Sequence, residues 1–349
     1  MEDLSKIYKK TTRAYNSLSP HYESCLEIVA YCQQKLAKSA KFFVYGEFAG
    51  DPKVPYSVFA ANDRISRAVR GDLLINSREE FLTKSKQLVD LTKDKERVCA
   101  EADYLCAAQV IYTAIMPFAC CFDLWNPDAR KTPGTFFEVY MAGLLQNVFP
   151  DAVFSKHISL TKIVAAGKII PEQVPVTSGE EDIQIEDDEE DSSVSTDIVV
   201  AVAGKPGGIV LPLKITTRER IVQPFAHQRI LDAAIGPGVY KSLIVCISET
   251  RLDKKKKKIE QICVPGTVKL FQKHLAPIDG MYYCDLPQRY AKEDLTKMVR
   301  VQPIGYLFSD LRSMLESIKA QARADSSPLM TPPASGTVQA VVERRSVPS

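Results

Sequence analysis

Two residues of opposite charge, Asp197 and Lys214, lie in two apolar β-type runs that a glycine-rich segment joins. Asp197 begins the first run and Lys214 is near the end of the second, so antiparallel pairing would bring them together. A carboxylate beside an ammonium suits metal-assisted phosphodiester hydrolysis. The carboxylate binds Mg²⁺, which polarises a phosphate oxygen and lowers the pKa of water, and the lysine steadies the attacking hydroxide or the developing charge. The simpler alternative is that Asp197 caps a strand and Lys214 is a surface lysine.

The residues around this pair favour the chemical interpretation. Lys214 follows the strongly apolar run 209–213, where a lysine is rarely placed for packing. Upstream, Glu138 lies within the apolar stretch Thr135 to Tyr140. A carboxylate in such a stretch is costly unless it is paired or binds a cation, so Glu138 is a further candidate.

The elements that must position these residues are predicted in the order helix, strand, strand, strand, helix, strand. They are a helix from Pro133-Gly134 to Val148, strands Ala152–Ser159, Asp197–Val202 and Ile209–Ile215, a helix from about Ile221 to Ala234, and a strand Ser242–Ser248. This order predicts an α/β (α+β) fold with a mixed β-sheet flanked by helices.

The first 128 residues are predicted to be helical. A capping box is present at 77–80, an almost wholly apolar helix runs from Val98 to Cys121, and a loop is expected around Tyr45 to Tyr56. The predicted domains are a helical N-terminal region at 1–128, a core at 129–288 with an acidic disordered insert at about 178–194, a C-terminal helical segment at 289–322 and a disordered tail at 323–349.

Composition excludes several classes of protein. Nine cysteines, an odd number without a CxxC pair, argue against a disulfide framework or a thiolate zinc site. The chain has no run of 18 or more apolar residues, and Met1 to Lys10 lack the apolar core of a signal peptide. We therefore expect a cytoplasmic protein with reduced cysteines and no membrane partner.

The charge of the chain is unevenly distributed. The segment Glu180 to Asp191 has nine acids and no base, so removing it from a formal net charge of +2 leaves +11. A basic body of this kind is compatible with a polyanionic partner. The run Lys254 to Lys258 could contact a phosphate backbone, and a solvated hairpin tip is the alternative.

The placement of the candidate residues resembles the PD-(D/E)xK nuclease core of type II restriction endonucleases. Glu138 falls on the first helix, Asp197 on the second strand and Lys214 on the third, and residues 131–138 look like the start of that family's first core helix. The resemblance covers about residues 131–248. It implies Asp197 as the main Mg²⁺ ligand, Lys214 as the contact to the scissile phosphate and nucleophilic water, and Glu138 as an outer-sphere or second ligand.

The sequence departs from the family's pattern at Pro212, two residues before the lysine, where the family usually has Asp or Glu. Some restriction enzymes move this acid to the following helix, but here residues 223–228 contain none, and the next acid is Asp232. Glu138 must therefore contribute more to the metal site, or the protein does not cut. His227 is the one histidine near the proposed site.

The cluster Arg218-Glu219-Arg220 begins four residues after Lys214 and resembles the recognition element of enzymes that act at CCGG and CCNGG sites. An arginine can donate two hydrogen bonds to guanine O6 and N7, and a glutamate can accept from cytosine N4. The alternative is a solvated charge cluster, paired within itself, at a helix N-terminus.

The resemblance implies a type II restriction endonuclease that uses Mg²⁺ to cut double-stranded DNA at a specific, C·G-rich palindromic site. A homodimer is expected, because one such site cuts one strand and a palindrome matches two-fold symmetry. A cognate DNA methyltransferase is expected in the same system, without a stable complex. The alternatives are a non-cleaving DNA-binding protein on the same fold and a helical scaffold or interaction protein.

Overall fold

The computed structural model describes residues 2–17, 19–47, 55–94, 100–160 and 193–325. The helices in this part of the chain are α1 (Glu2–Asn16), α2 (Tyr22–Ser39), α3 (Arg78–Lys93), α4 (Glu101–Trp125), α5 (Thr132–Val148), α6 (Val222–Ala234), α7 (Pro265–His274), α8 (Glu293–Thr296) and α9 (Tyr306–Asp325). The strands are β1 (Lys41–Glu47), β2 (Pro55–Ala61), β3 (Arg64–Ile65), β4 (Val69–Arg70), β5 (Ala152–Ser159), β6 (Ser193–Val202), β7 (Gly208–Leu211), β8 (Leu213–Lys214), β9 (Tyr240–Ser248), β10 (Thr250–Asp253), β11 (Lys258–Gln261), β12 (Gly280–Asp285) and β13 (Val301–Pro303).

A seven-stranded mixed sheet forms the centre of the fold. Its order is β13-β12-β9-β7-β6-β5, and β8 also pairs with β9. The pairs β5–β6 and β6–β7 are antiparallel, whereas β9 pairs in parallel with β7, β8 and β12, and β12 pairs in parallel with β13. The predicted mixed sheet, its hairpin and the order of elements from α5 to β9 are confirmed.

The two faces of the sheet are covered by different helices, because successive residues of a strand point to opposite sides. On β9, Val245 belongs to the large core that includes residues of α1, α2, α4, α5 and α9. Its neighbour Ile244 belongs to a second core with Phe225 of α6 and Val268 of α7. Burial on both faces explains why β9 is apolar almost throughout.

Helix α4 is a central helix of the large core. It is long and apolar enough to cross a membrane by length and composition, yet 89% of its most apolar window is buried inside the protein. The apolar helix predicted from Val98 to Cys121 is present as Glu101–Trp125, and it is buried almost throughout from Cys106 to Leu124. The eight cysteines of the described residues are buried and form no disulfide, as predicted.

The N-terminal part of the chain is helical in α1 to α4, as predicted, but it also contains a small antiparallel sheet. In this sheet β2 pairs with β1, β3 and β4. The loop predicted around Tyr45 to Tyr56 is therefore wrong at both ends, because Tyr45 lies in β1 and Tyr56 in β2. The β10–β11 hairpin packs on this sheet, where Ile259 joins Tyr56 and Ala68 in an apolar cluster.

Several predictions concern segments at or beyond the limits of the described residues. Most of the predicted acidic insert lies outside them, and its last two residues, 193 and 194, begin β6. The predicted C-terminal helical segment contains α9, which continues to Asp325, three residues into the predicted tail. Residues 326–349 lie outside the described part, and the predicted domain boundaries stay predictions.

Candidate active site

The side chains of Asp197 and Lys214 meet in the central sheet. The Nζ atom of Lys214 donates a hydrogen bond to Oδ2 of Asp197 at 2.9 Å, and the backbone nitrogen of Leu213 donates to the same oxygen at 2.6 Å. The side chains of Asp197 and Lys214 are 19% and 12% exposed, respectively. Partial burial of this kind reduces solvent screening and leaves the pair open to a ligand. Asp197 is the fifth residue of β6 rather than its first.

Pro212 leaves the backbone nitrogen of Leu213 free of the β6–β7 ladder and available to the Asp197 carboxylate. The β6–β7 register pairs Ile198 with Leu211, so its next position would pair Asp197 with Pro212. Proline has no N–H to donate, and the ladder ends there. The predicted single strand 209–215 is accordingly divided into β7 and β8, and the first N–H after the proline goes to Asp197.

A break in strand pairing sets the direction of the Asp197 side chain. Ser155 of β5 pairs with Val199 of β6, and His157 pairs with Ser195. Only Lys156 of β5 lies between these two pairs. Three residues of β6, with Asp197 at their centre, therefore lie opposite one residue of β5. Such bulges bend a strand and re-aim side chains, commonly beside active sites.

Lys156 is a site residue that the sequence analysis missed. It is half-buried, and its Nζ atom lies 4.1 Å from the centre of the Tyr15 ring on α1. Burial lowers the pKa of Lys156, and the charges of Glu138 and Asp197 oppose this shift. The sequence offered only a lysine inside a predicted strand, which gives no indication of where the side chain points at a bulge.

Glu138 faces the same site from α5. Its neighbours Phe137 and Val139 are fully buried, while Glu138 itself is half-buried. Burial and, second, the charge of Asp197 raise the pKa of Glu138 to about 7. Within the described residues no side chain or backbone group donates a hydrogen bond to this carboxylate, so it has capacity for a cation.

These groups line one cleft of about 460 Å³. Its walls include Glu138, Lys156, Asp197, Lys214 and His227. Burial and, second, the charge of Lys214 lower the pKa of His227, so the neutral imidazole is favoured. The predicted proximity of His227 is thus correct, and among the described residues the cleft contains two carboxylates and two lysines.

The donor set of the cleft fits a hard divalent cation. Two carboxylates supply the oxygen ligands that Mg²⁺ prefers, and this ion usually keeps several waters and takes only one or two protein carboxylates. The part of the chain that the structure describes contains no group of three or more potential His, Cys, Asp or Glu ligands. Pro212 lines the cleft without contributing an oxygen ligand from its side chain.

The segment predicted to recognise DNA begins four residues after Lys214, the last residue of β8. Residues Arg218–Ile221 form a single 3₁₀ turn that leads into α6. The side chains of Arg218 and Glu219 are outside the described part of the structure. Arg220 is exposed, and its Nη2 atom donates to the carbonyl oxygen of Thr216 at 3.4 Å.

A second cleft, of about 480 Å³, is lined in part by Thr216, two residues after the end of β8. Its lining also includes the exposed residues Arg130, Arg251 and Lys254. Lys254 begins the lysine run 254–258, which forms the turn of the β10–β11 hairpin and the first residue of β11. The run therefore lies at a hairpin tip with its basic side chains exposed, and its contact with a phosphate backbone stays a prediction.

The mixed sheet flanked by helices, with Asp197 on β6, Lys214 on β8 and Glu138 on α5, is the arrangement expected of a restriction-endonuclease fold. The crystal structure of the type IIP restriction endonuclease Kpn2I matches this chain with a TM-score of 0.78 and 39% sequence identity, over 91% of this chain and 99% of that chain. The chain therefore belongs to the restriction endonuclease superfamily, as a relative of Kpn2I.

A weaker likeness exists to the restriction endonuclease PspGI in its complex with substrate DNA. It has a TM-score of 0.38 and 13% identity, over 68% of this chain and 91% of that chain. No protein-family model matches the chain. No curated protein matches it either.

Proposed function

We propose that this protein is a type II restriction endonuclease that hydrolyses double-stranded DNA at a specific sequence with the help of Mg²⁺. The observation that supports this most is the convergence of Lys214 Nζ and the Leu213 N–H on one oxygen of Asp197, in a cleft shared with Glu138. The relationship to Kpn2I supports DNA cleavage as the general activity.

Asp197 and Glu138 are the residues that would hold the metal ion. When bound, Mg²⁺ would polarise a phosphate oxygen and lower the pKa of a bound water. The bonds to Leu213 and Lys214 fix one oxygen of Asp197 and leave the other, Oδ1, for the ion. Burial and, second, the charge of Asp197 raise the pKa of Glu138, and a bound cation would oppose both effects.

Lys214 and Lys156 supply the positive charge that the substrate requires. Two lysines balance the two carboxylates of the cleft, so a phosphate can enter without facing a net negative site. Lys214 is anchored by Asp197 and can donate a further hydrogen bond to a phosphate oxygen or to the attacking water, because an ammonium has three donors. These are positioning and electrostatic roles, which act before and during hydrolysis.

Sequence recognition is assigned to Arg218, Glu219 and Arg220, with C·G pairs of a palindromic site as the proposed target. Their place four to six residues after Lys214 supports this assignment, because one short segment then joins the residue proposed for hydrolysis to those proposed for base contacts. The basic second cleft would hold the flanking phosphate backbone. We further propose a cytoplasmic homodimer that works beside a DNA methyltransferase of the same system.

A second candidate function is specific DNA binding without cleavage. Pro212 favours it, because a proline stands in the cleft where the family usually has a third oxygen ligand. In that case the remaining carboxylates, Asp197 and Glu138, would be too few to assemble a working metal site. The two candidates differ in one outcome, which is whether phosphodiester bonds are cut.

The experiment is digestion of unmethylated phage DNA by the purified protein, once with Mg²⁺ and once with EDTA. Discrete fragments that require Mg²⁺ would support the proposed function, and sequencing their ends gives the target and the cut position. Intact DNA at every protein concentration, together with salt-sensitive and sequence-selective binding, would instead support the non-cleaving candidate.

A further inference from the structure

Glu249 is a buried carboxylate next to the segment proposed to recognise DNA. It directly follows β9 and is 1% exposed. Its oxygens accept hydrogen bonds from the backbone nitrogen of Thr217 at 3.1 and 3.2 Å, and the Thr217 hydroxyl donates to Oε1. From the interior, the hydroxyl of Tyr283 on β12 donates to Oε1 at 3.4 Å. Residues at two strands of the main sheet, β9 and β12, thus hold a buried acceptor beside Thr217.

Thr217 is the last residue before the proposed recognition residues, and backbone hydrogen bonds hold the chain on both sides of it. Two residues earlier, the carbonyl oxygen of Ile215 accepts from the backbone nitrogen of Ser248 at 3.1 Å. On the other side, the carbonyl oxygen of Thr217 accepts from the backbone nitrogen of Arg220 at 2.9 Å and closes the 3₁₀ turn. The chain from Lys214 to Thr217 is therefore attached to the end of β9 at successive points.

We propose that Glu249 is a positioning residue for sequence recognition, which acts by fixing Thr217 and therefore the place of Arg218-Glu219-Arg220 relative to Lys214. This inference rests on the proposed function of that segment. Its physical basis is that a bidentate arginine–guanine contact has strict geometry, so a small displacement of the segment costs hydrogen bonds to the correct base. A buried acceptor at the end of a packed strand limits such displacement more strongly than a solvated one.

A purely structural role is the competing explanation, and the protein contains a matched control for it. Asp285, at the end of β12, is also a buried carboxylate, 4% exposed. It accepts hydrogen bonds from Tyr56, Arg70 and Ser248, so it attaches the small N-terminal sheet to the main sheet. Loss of either carboxylate should destabilise the fold, but only loss of Glu249 should change the choice of sequence.

The test compares Glu249→Ala, Glu249→Gln and Asp285→Asn with the wild-type protein in the presence of Mg²⁺. The readout is the ratio of kcat/KM on the mapped target to kcat/KM on the same DNA with one base pair exchanged. We expect Glu249→Ala to lower this ratio about tenfold or more. Glu249→Gln retains an acceptor for Thr217 and should keep the ratio within about threefold of wild type. Asp285→Asn should lower the Tm and leave the ratio unchanged.

A milder variant covers the case in which Glu249→Ala does not fold. Thr217→Val removes the hydroxyl donor and keeps the backbone N–H, so it should lower the ratio in the same direction by a smaller factor. A wild-type protein that prefers its target, with folded variants of Glu249 and Thr217 that keep the full preference, would overturn the inference alone. A wild-type protein without any site preference would overturn the proposed function and this inference together.

Discussion

Lys156 lies opposite Asp197 across the break in the β5–β6 pairing, and its ammonium stands over the Tyr15 ring at 4.1 Å. An aromatic face stabilises a cation without neutralising it, so the charge of Lys156 remains available to the cleft. Three elements that are distant in sequence, α1, β5 and β6, therefore contribute to the electrostatics of the candidate active site.

Replacement of Lys156 by Met should slow cleavage and at the same time reduce the Mg²⁺ requirement. The missing cation no longer attracts the scissile phosphate, which we expect to cost on the order of a hundredfold in kcat. The two carboxylates, no longer offset, should bind Mg²⁺ more tightly, so the rate saturates at a lower Mg²⁺ concentration. Initial rates over a Mg²⁺ series measure both effects. Lys9→Met, on the exposed side of α1, is the matched control, and an unchanged Mg²⁺ profile for Lys156→Met would contradict the assignment.

Glu138 should make the stability of the metal-free protein depend on pH. Its pKa is raised from 4.5 to about 7, so the folded state holds this proton to higher pH than the unfolded state does. Stability therefore falls as the pH rises from about 4.5 to about 7 and remains reduced above that range. Glu138→Gln removes this loss and should stabilise the protein by about 1–3 kcal/mol near pH 8, with little gain near pH 5.

Thermal unfolding in EDTA at the two pH values measures the effect of Glu138→Gln. The control is Glu27→Gln on the exposed face of α2, which should change the Tm equally at both pH values. Equal gains for Glu138→Gln at both pH values would mean that the substitution acts through packing and not through the carboxylate charge.

Arg218→Ala should relax the choice of sequence more than it weakens DNA binding. The removal of a bidentate bond pair to guanine should reduce discrimination at one base position by about 1–3 kcal/mol. Cleavage of a library of single-base variants of the mapped site measures this directly. Arg229→Ala on the exposed side of α6 removes the same charge without the proposed base recognition. An unchanged site preference for Arg218→Ala would remove the recognition assignment.

The lysines of the β10–β11 hairpin should contribute affinity that depends on salt and not on sequence. Exchange of Lys254, Lys255 and Lys258 for Gln should weaken binding equally for target and non-target DNA. The slope of log K against log salt should become shallower by about 0.9 for each phosphate that the variant no longer neutralises. Binding titrations in Ca²⁺ at several salt concentrations provide the measurement. The control is the same exchange at one exposed lysine on each of α1, α2 and α3. An equal change of slope in the control would contradict a specific role for the hairpin lysines.

The sequence predicts the hairpin that carries Asp197 and Lys214 because the information is local. A glycine-rich turn between two apolar runs sets the pairing, and the register then brings the two residues together. The mixed sheet and the position of Glu138 on α5 follow from the order of elements. These are the features for which nearby residues determine the structure.

Other features depend on interactions between distant segments, and the sequence did not reveal them. The direction of Lys156 follows from a bulge in the partner strand, which no pattern within β5 indicates. Strand β1 shows no alternation of buried and exposed side chains, since Phe42, Phe43 and Val44 are all exposed. Glu249 has its role only because β9 ends beside the 3₁₀ turn of Arg218–Ile221.

The most direct test of the hydrolytic centre is a comparison of cleavage and binding by Asp197→Asn and Lys214→Met on the mapped target. Both variants should fold, bind the target in Ca²⁺ with an affinity close to wild type, and cut it in Mg²⁺ at least about a thousandfold more slowly. The control Asp232→Asn on α6 should cut normally, because the Asp232 carboxylate accepts a hydrogen bond from Gln228 and does not line the cleft. Cleavage at the wild-type rate by either Asp197→Asn or Lys214→Met would contradict the assignment of this pair as the hydrolytic centre.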